Sequence, residues 1–188
     1  MKKIIALLLL LIPVLLSAQP KPKSDEILVI SHVTVIDVTA RQSKPDMDVI
    51  ITGDKITDVG PSGKTPAPSG AKVVDGTGKF LIPGLWDMHV HWYNEQDLTL
   101  FTANGVTGVR QMFGQPMHLQ WRKDLEKGSL LGPRMSLASP IVDGPHPVWP
   151  GSIAVKDEAE GREAVQKVKK WGADFVKVYS LLPRDAYF

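Results

Sequence analysis

Leu85-Trp86-Asp87-Met88-His89-Val90-His91 sets two imidazoles two residues apart in a run that reads as a buried strand. On a strand, side chains at i and i+2 leave the same face, about 6.5 Å apart along it. Two neutral imidazoles held side by side on a rigid element can grip one divalent metal, and a metal with few protein ligands keeps a position open for water. The pair therefore points to metal-activated hydrolysis. The bland reading is two unrelated histidines at the mouth of a loop. Asp87, one step further back, either accepts the second N–H of an imidazole or serves as a capping or structural carboxylate.

After Pro83-Gly84 the chain alternates strand-like and helix-like segments. Strands are expected at residues 85–91, 106–112, 134–139 and 175–179, and helices at 95–103, 116–127 and 157–171, with a long Gly/Pro-rich loop over 140–151. Such alternation reads as βα units on a parallel sheet. The 157–171 helix is the best marked. Ala164, Val165, Val168 and Trp171 form its apolar stripe, Asp157, Glu158 and Glu160 sit at its N-terminal end, Lys167, Lys169 and Lys170 near its C-terminal end, and Gly172 caps it. A closed (β/α)₈ barrel takes eight strands and about 250 residues, so the four repeats here read as half of one. Unpaired parallel edges would be left, and a truncation at Phe188 is expected.

Before Pro83 the pattern differs. Short β-branched runs at 28–38, 48–51, 55–59 and 72–75, parted by Thr52-Gly53-Asp54, Gly60-Pro61 and Asp75-Gly76-Thr77-Gly78, indicate an antiparallel β unit too small to be a whole sandwich. Gly60-Pro61-Ser62-Gly63-Lys64-Thr65 ends like a phosphate-binding loop. That motif requires a glycine where Asp58 stands, and Pro61, Pro66 and Pro68 forbid its backbone and its helix, so it reads as a turn-rich connector.

The first residues have the layout of a secretory signal peptide: Lys2 and Lys3, an apolar run from Ile4 to Leu16, then Ser17-Ala18-Gln19. Pro13 interrupts a run already too short to span a membrane. The expected division is a signal peptide at 1–18, a disordered leader at 19–26, a β domain at 27–82 and the parallel unit at 83–188. The formal charge of +2 is that of Lys2 and Lys3, which leaves the remaining side chains balanced. This gives no reason to expect nucleic acid or, after signal cleavage, a membrane as partner. Without cysteine the fold rests on an apolar core, and 43% hydrophobic residues suffice for one. The export signal sets the expected compartment, periplasmic or secreted.

Lys177 lies in Phe175-Val176-Lys177-Val178-Tyr179, an otherwise apolar run. Both faces of a parallel strand are normally covered, and a buried lysine shifts toward its neutral amine. A neutral amine can take up carbon dioxide to give a carbamate, an anionic ligand able to bridge two metals. The alternative is an edge-strand lysine with its ammonium in water. Arg110 could grip a substrate carboxylate or make an ordinary salt bridge. His146 and Tyr179 are further substrate-contact candidates, although a loop histidine is often passive. His118, in a helical run, and His32, in the β unit, read as structural.

Phe80-Leu81-Ile82-Pro83-Gly84-Leu85-Trp86-Asp87-Met88-His89-Val90-His91 resembles the first-strand signature of the metal-dependent amidohydrolase superfamily. Gly105-Val106-Thr107-Gly108-Val109-Arg110 and Gly172-Ala173-Asp174-Phe175-Val176-Lys177-Val178 are similar to the second and fourth strands of its imidazolonepropionase-like and prolidase-like branch. The resemblance implies an α/β fold, the first half of a (β/α)₈ TIM-type barrel preceded by part of a small β-sandwich. It implies metal ligation by His89, His91 and a carboxylated Lys177, with one or two zinc ions. It also implies later metal-binding histidines and a proton-shuttling aspartate, expected beyond Phe188, so no catalytic residue is assigned within the chain. Where many relatives follow the strand-two arginine with aspartate, this chain has Gln111.

The expected function is an amidohydrolase that cleaves an amide, peptide-like or cyclic amide C–N bond with a metal-activated water. Its substrate would be a dipeptide, an N-acyl amino acid or a ring amide, with homo-oligomer formation left open and the 188-residue chain alone inactive. The rival reading is a non-catalytic exported binding or assembly module built on a half barrel.

Overall fold

A computed structural model of the chain describes residues 26–188. The signal peptide and all of the leader except Glu26 lie outside the described residues. No helix among the described residues is long and apolar enough to cross a membrane. The chain divides into two compact units, which part between Ile82 and Pro83.

The first unit is one sheet of five strands. These are β1 (Ile27–Asp37), β2 (Gln42–Thr52), β3 (Lys55–Pro61), β4 (Lys72–Asp75) and β5 (Phe80–Leu81), in the order β3-β2-β1-β4 with β5 also on β1. Only the β1–β2 and β2–β3 pairs are antiparallel; β4 and β5 run parallel to β1. This corrects the antiparallel expectation. The 62–71 segment is long enough to return the chain to the start of the sheet, and Gly/Pro turn signals do not distinguish a hairpin from a crossover. The buried apolar side chains of this unit, Val29, Val33, Val49 and Ile50, come from β1 and β2.

β1 breaks register around His32, whose backbone is left-handed at φ 56°. The break is held by carboxylates: Asp48 Oδ1 accepts the His32 N–H at 3.1 Å, and Asp46 Oδ1 lies 2.8 Å from His32 Nδ1. The Asp46 hydrogen bond raises the pKa of His32. The former phosphate-loop lookalike is tied down in the same place. Ser62 Oγ donates to Asp48 Oδ1 at 2.8 Å, and the Gly63 N–H donates to Asp48 Oδ2 at 3.0 Å. Donors that a phosphate would need are thus spent on a carboxylate.

The second unit holds the parallel sheet β6-β7-β8, formed by β6 (Leu85–Val90), β7 (Val106–Gln111) and β8 (Arg134–Leu137). Helices α1 (Asp97–Ala103) and α2 (Pro116–Lys127) connect these strands. Val90, Trp92, Leu98, Val109, Met135 and Leu137 form the core, with Phe101, Leu119, Trp121 and Leu125 packed on it. The helix α3 (Glu158–Trp171) begins where Asp157 accepts the Glu160 N–H, and it ends at Gly172 with φ 95°. That conformation is open to glycine and costly for other residues. Ala164 and Val168 of its stripe are buried, whereas Val165 is exposed. The short helix α4 (Arg184–Tyr187) packs beside α3, Ala186 joining the apolar cluster around Ala164.

Two expectations need correction here. The 140–151 loop contains β9 (Val142–Asp143), which pairs with β10 (Ile153–Ala154). The fourth strand, expected at 175–179, is reduced to two isolated parallel bridges, Ala138↔Phe175 and Val142↔Val178. Pro140 falls between them and has no N–H to offer. The Ser139 side chain fills the gap, its Oγ accepting the Lys177 N–H at 3.0 Å. Below the gap Asp174 secures the alignment. Both its oxygens accept from Arg122 Nη1 at 3.0 Å, and Oδ2 also accepts the Leu137 N–H at 2.8 Å.

Gly108 is where two strands demand glycine. A Cβ there would stand 2.2 Å from the Trp86 indole, which lies directly on the β7 backbone. Gly108→Ala should therefore destabilise the unit by about 1–3 kcal/mol, read from urea unfolding midpoints. Trp86→Leu in the same chain should recover most of that loss; no recovery would mean that the indole is not the obstacle.

Candidate metal centre

β6 is the edge strand of its sheet, and this overturns the expectation that it is buried. From Leu85 to His89 every residue is exposed, and only Val90 is buried. Its pairing with β7 carries two irregularities. Leu85↔Val106 is followed by Trp86↔Gly108, and Asp87↔Val109 by Val90↔Gln111, so an extra residue on β7 is answered by an extra residue on β6. The second bulge is stabilised by Asp87, whose Oδ1 accepts the His89 N–H at 3.1 Å. Through this bond Asp87 caps its own backbone in the bulge.

Beyond the bulge the alternation is regular. Val90 and Trp92 are buried while His89 and His91 are exposed, as side chains on opposite faces of an extended chain must be. The two rings meet edge to face with centroids 5.1 Å apart, and their Nε2 atoms are 3.2 Å apart. Two nitrogens each about 2.05 Å from a tetrahedral ion would be separated by about 3.3 Å. The pair thus already has the bite of a two-imidazole metal chelate. Partial burial, then the charges of His89 and Lys177, lower the pKa of His91 and favour the neutral ring that coordination requires.

Lys177 is half-buried, between the covered and the edge-strand readings, and its Nζ lies 5.9 Å from the centre of the Tyr179 ring. The fourth strand has only its β8-side partner among the described residues, so one side stays open. Arg110 makes no salt bridge among the described residues. Its guanidinium stacks over Phe175 at 4.8 Å, on the strand that carries Lys177. His146 is exposed in the loop before β10, with no contact to the pair. A mostly apolar hollow of about 380 Å³ opens beside His91, lined by Trp92, Leu100, Phe101 and Val106 together with Asp97 and Asn104. Among the described residues no group of three or more His, Cys, Asp or Glu side chains could hold a metal, so these residues supply a partial site: two imidazoles and a nearby lysine.

Two buried polar groups, Asp143 and Gln111, have no role assigned from sequence. Asp143 is fully buried in β9, and its carboxylate accepts the Val148 N–H at 3.1 Å and the Leu181 N–H at 2.8 Å. It joins the 144–148 loop to the segment after Tyr179. Gln111 is fully buried at the end of β7 beside His118, which packs against Trp92 and Trp121. The only sequence signal for either was a polar residue closing an apolar run.

No family model matches the chain. It is 26% identical over 165 residues to an adenine deaminase of Rubrobacter xylanophilus, covering 79% of this chain and 26% of that protein. In fold it matches a protein described as a prolidase from Bifidobacterium longum with a TM-score of 0.75 and 26% identity, over 85% of this chain and 42% of that one. In sequence and fold the chain resembles the amidohydrolase superfamily, on its prolidase-like side. Another solved amidohydrolase, the bottromycin amidohydrolase, matches with a TM-score of 0.70 and 26% identity, over 85% of this chain and 34% of that one. As an amidohydrolase fold, the described part is a mixed α/β structure with a parallel sheet and flanking helices. Its relatives are hydrolases of C–N bonds by name, and members of the superfamily use divalent metals. The chain spans about a quarter of the curated adenine deaminase and less than half of the solved prolidase.

Burial lowers the pKa of His118, offset in part by its hydrogen bond to the Trp92 carbonyl. The folded state then binds a proton less readily than the unfolded chain, whose histidine titrates near pH 6.5. The sign follows: stability is unaffected above that pH and falls as pH drops below it toward the folded pKa, by at most about 1.4 kcal/mol per pH unit. Urea midpoints between pH 7 and 5 should decline more steeply in the wild type than in His118→Gln. Parallel curves would contradict a neutral, buried imidazole.

Proposed function

We propose that this polypeptide is the N-terminal part of an exported, metal-dependent amidohydrolase that cleaves a C–N bond in a small substrate. The Nε2 to Nε2 separation of 3.2 Å in the His89/His91 pair carries the reading, because it matches the bite of a divalent metal. In this reading residues 27–82 are a share of a small β-sandwich, and residues 83–188 the first half of a (β/α)₈ barrel. Zinc, as one ion or two, is the proposed metal. The signal-peptide layout of residues 1–18 supports export to the periplasm or medium.

A bound divalent cation would supply a lowered pKa for water and polarisation of the scissile carbonyl. The chain's own residues would do the following. His89 and His91 offer two neutral nitrogen donors from a strand end. Lys177, close enough to His91 for its charge to be felt there, would become a carbamate and add anionic oxygen donors. The hollow beside His91 would receive an apolar part of the substrate. Histidine ligands and a proton-handling aspartate from sequence outside these residues would complete the site.

Dipeptides, N-acyl amino acids and cyclic amides are the proposed substrate classes. The likeness to proteins named for prolidase activity supports the first, and the likeness to adenine deaminases supports a ring substrate.

Zinc binding by equilibrium dialysis tests the assignment. The wild-type chain should bind zinc, and His89→Ala/His91→Ala should lose that binding by about 100-fold or more while keeping its circular dichroism; full zinc occupancy in the double variant would refute the ligand assignment. Bicarbonate should tighten zinc binding in the wild type and have no effect in Lys177→Ala. An equal bicarbonate effect in both would contradict the carbamate.

A further inference from the structure

Trp92 follows His91 directly and is the point at which the exposed end of β6 is anchored. Its indole is 4% exposed and packs between Phe101 and His118, with ring centroids 5.8 and 5.3 Å away. The last backbone bond from the sheet to this segment runs from the Met112 N–H to the Val90 carbonyl at 3.0 Å. Beyond it the chain leaves the ladder, so the Trp92 carbonyl must find its partners elsewhere.

It finds two. Gln111 Nε2 donates to the Trp92 carbonyl at 3.0 Å, and His118 Nε2 lies 2.9 Å from the same oxygen. The direction of the second bond follows from the other ring nitrogen. His118 Nδ1 accepts the Gln115 N–H at 2.9 Å, so it carries no proton, and the neutral ring must carry its proton on Nε2. One carbonyl oxygen with two lone pairs thus faces both donors, whose nitrogens stand 2.9 Å from each other, while the Phe113 N–H on Gln111 Oε1 at 3.4 Å marks the other end of the amide as the acceptor. Gln111 closes β7, His118 lies in the first turn of α2, and each is fully buried. The β7–α2 unit is thereby fixed at two points to the residue next to His91.

We propose that Gln111 and His118 are positioning residues for the His89/His91 pair, acting through the Trp92 carbonyl. The inference rests on the metal-binding reading of that pair. It also gives a role to the amide at position 111. An aspartate there could not donate to a carbonyl when ionised, whereas glutamine can. Removing either donor leaves the buried carbonyl short of a partner and frees the backbone that sets the ring of His91 against that of His89.

Gln111→Met keeps the length and burial of the side chain but removes the donor. Leu137→Ala damages the same core but leaves both donors to the Trp92 carbonyl in place, and serves as the control. Two readouts are taken, amide hydrogen exchange over residues 89–93 and the Co²⁺ affinity followed by its visible absorption. Q111M should speed exchange in that segment about tenfold or more and weaken Co²⁺ binding about tenfold or more, while L137A, compared after correction for stability, leaves both near wild type. Equal effects in Q111M and L137A, or none in Q111M, would overturn the proposal. If wild type and H89A/H91A bind Co²⁺ alike, the metal reading fails, and selective exchange over residues 89–93 in Q111M still decides whether Gln111 holds the segment. Should Q111M not fold, Gln111→Asn, which withdraws the amide by one methylene, is judged by the same outcomes.

Discussion

Between Val90 and Trp92 the chain buries, exposes and buries again, and the candidate site depends on that alternation. Two apolar side chains go into the core under α1 and α2, and His91 between them is forced to the other face. Burying a Val and a Trp side chain is worth several kcal/mol, about 2 kcal/mol or more each. No interaction seen around the imidazoles is comparable. The histidines are thus placed by their neighbours' hydrophobicity and not by contacts of their own.

The bulge before them decides which residues share that face. With one extra residue on β6 between Asp87 and Val90, strict counting back from His89 to Asp87 no longer gives a common face. The Asp87 carboxylate is turned onto the His89 N–H and fixes the bulge. An aspartate two residues before a histidine therefore does structural work on the backbone, while the pair just beyond it stays regular enough to bring its nitrogens to chelating distance.

The βα rhythm of residues 83–188 was legible because helix and strand periods differ and the caps are strong: α2 begins at Pro116 as expected, and α3 is bounded by Asp157 and Gly172. The His89/His91 pair was legible for the same reason, since adjacent in-phase residues need only local geometry. Long-range choices were not. Whether β4 returns parallel or antiparallel to β1, and whether residues 175–179 form a full ladder past Pro140, depends on partners far away in sequence. Lys177 shows the limit most clearly, because its apolar neighbours signalled burial while the open side of its strand leaves it half-exposed. Gln111 and His118 were hidden in another way: one polar residue ending a strand and one in a helix carry no local sign that they converge on the same carbonyl.

The account stands on two imidazole nitrogens sharing one cation. X-ray absorption at the zinc edge of the zinc-loaded chain measures this directly. It predicts imidazole scattering from two histidines with zinc–nitrogen distances of about 2.0–2.1 Å. A first shell of oxygen alone, with no imidazole signature, would contradict it.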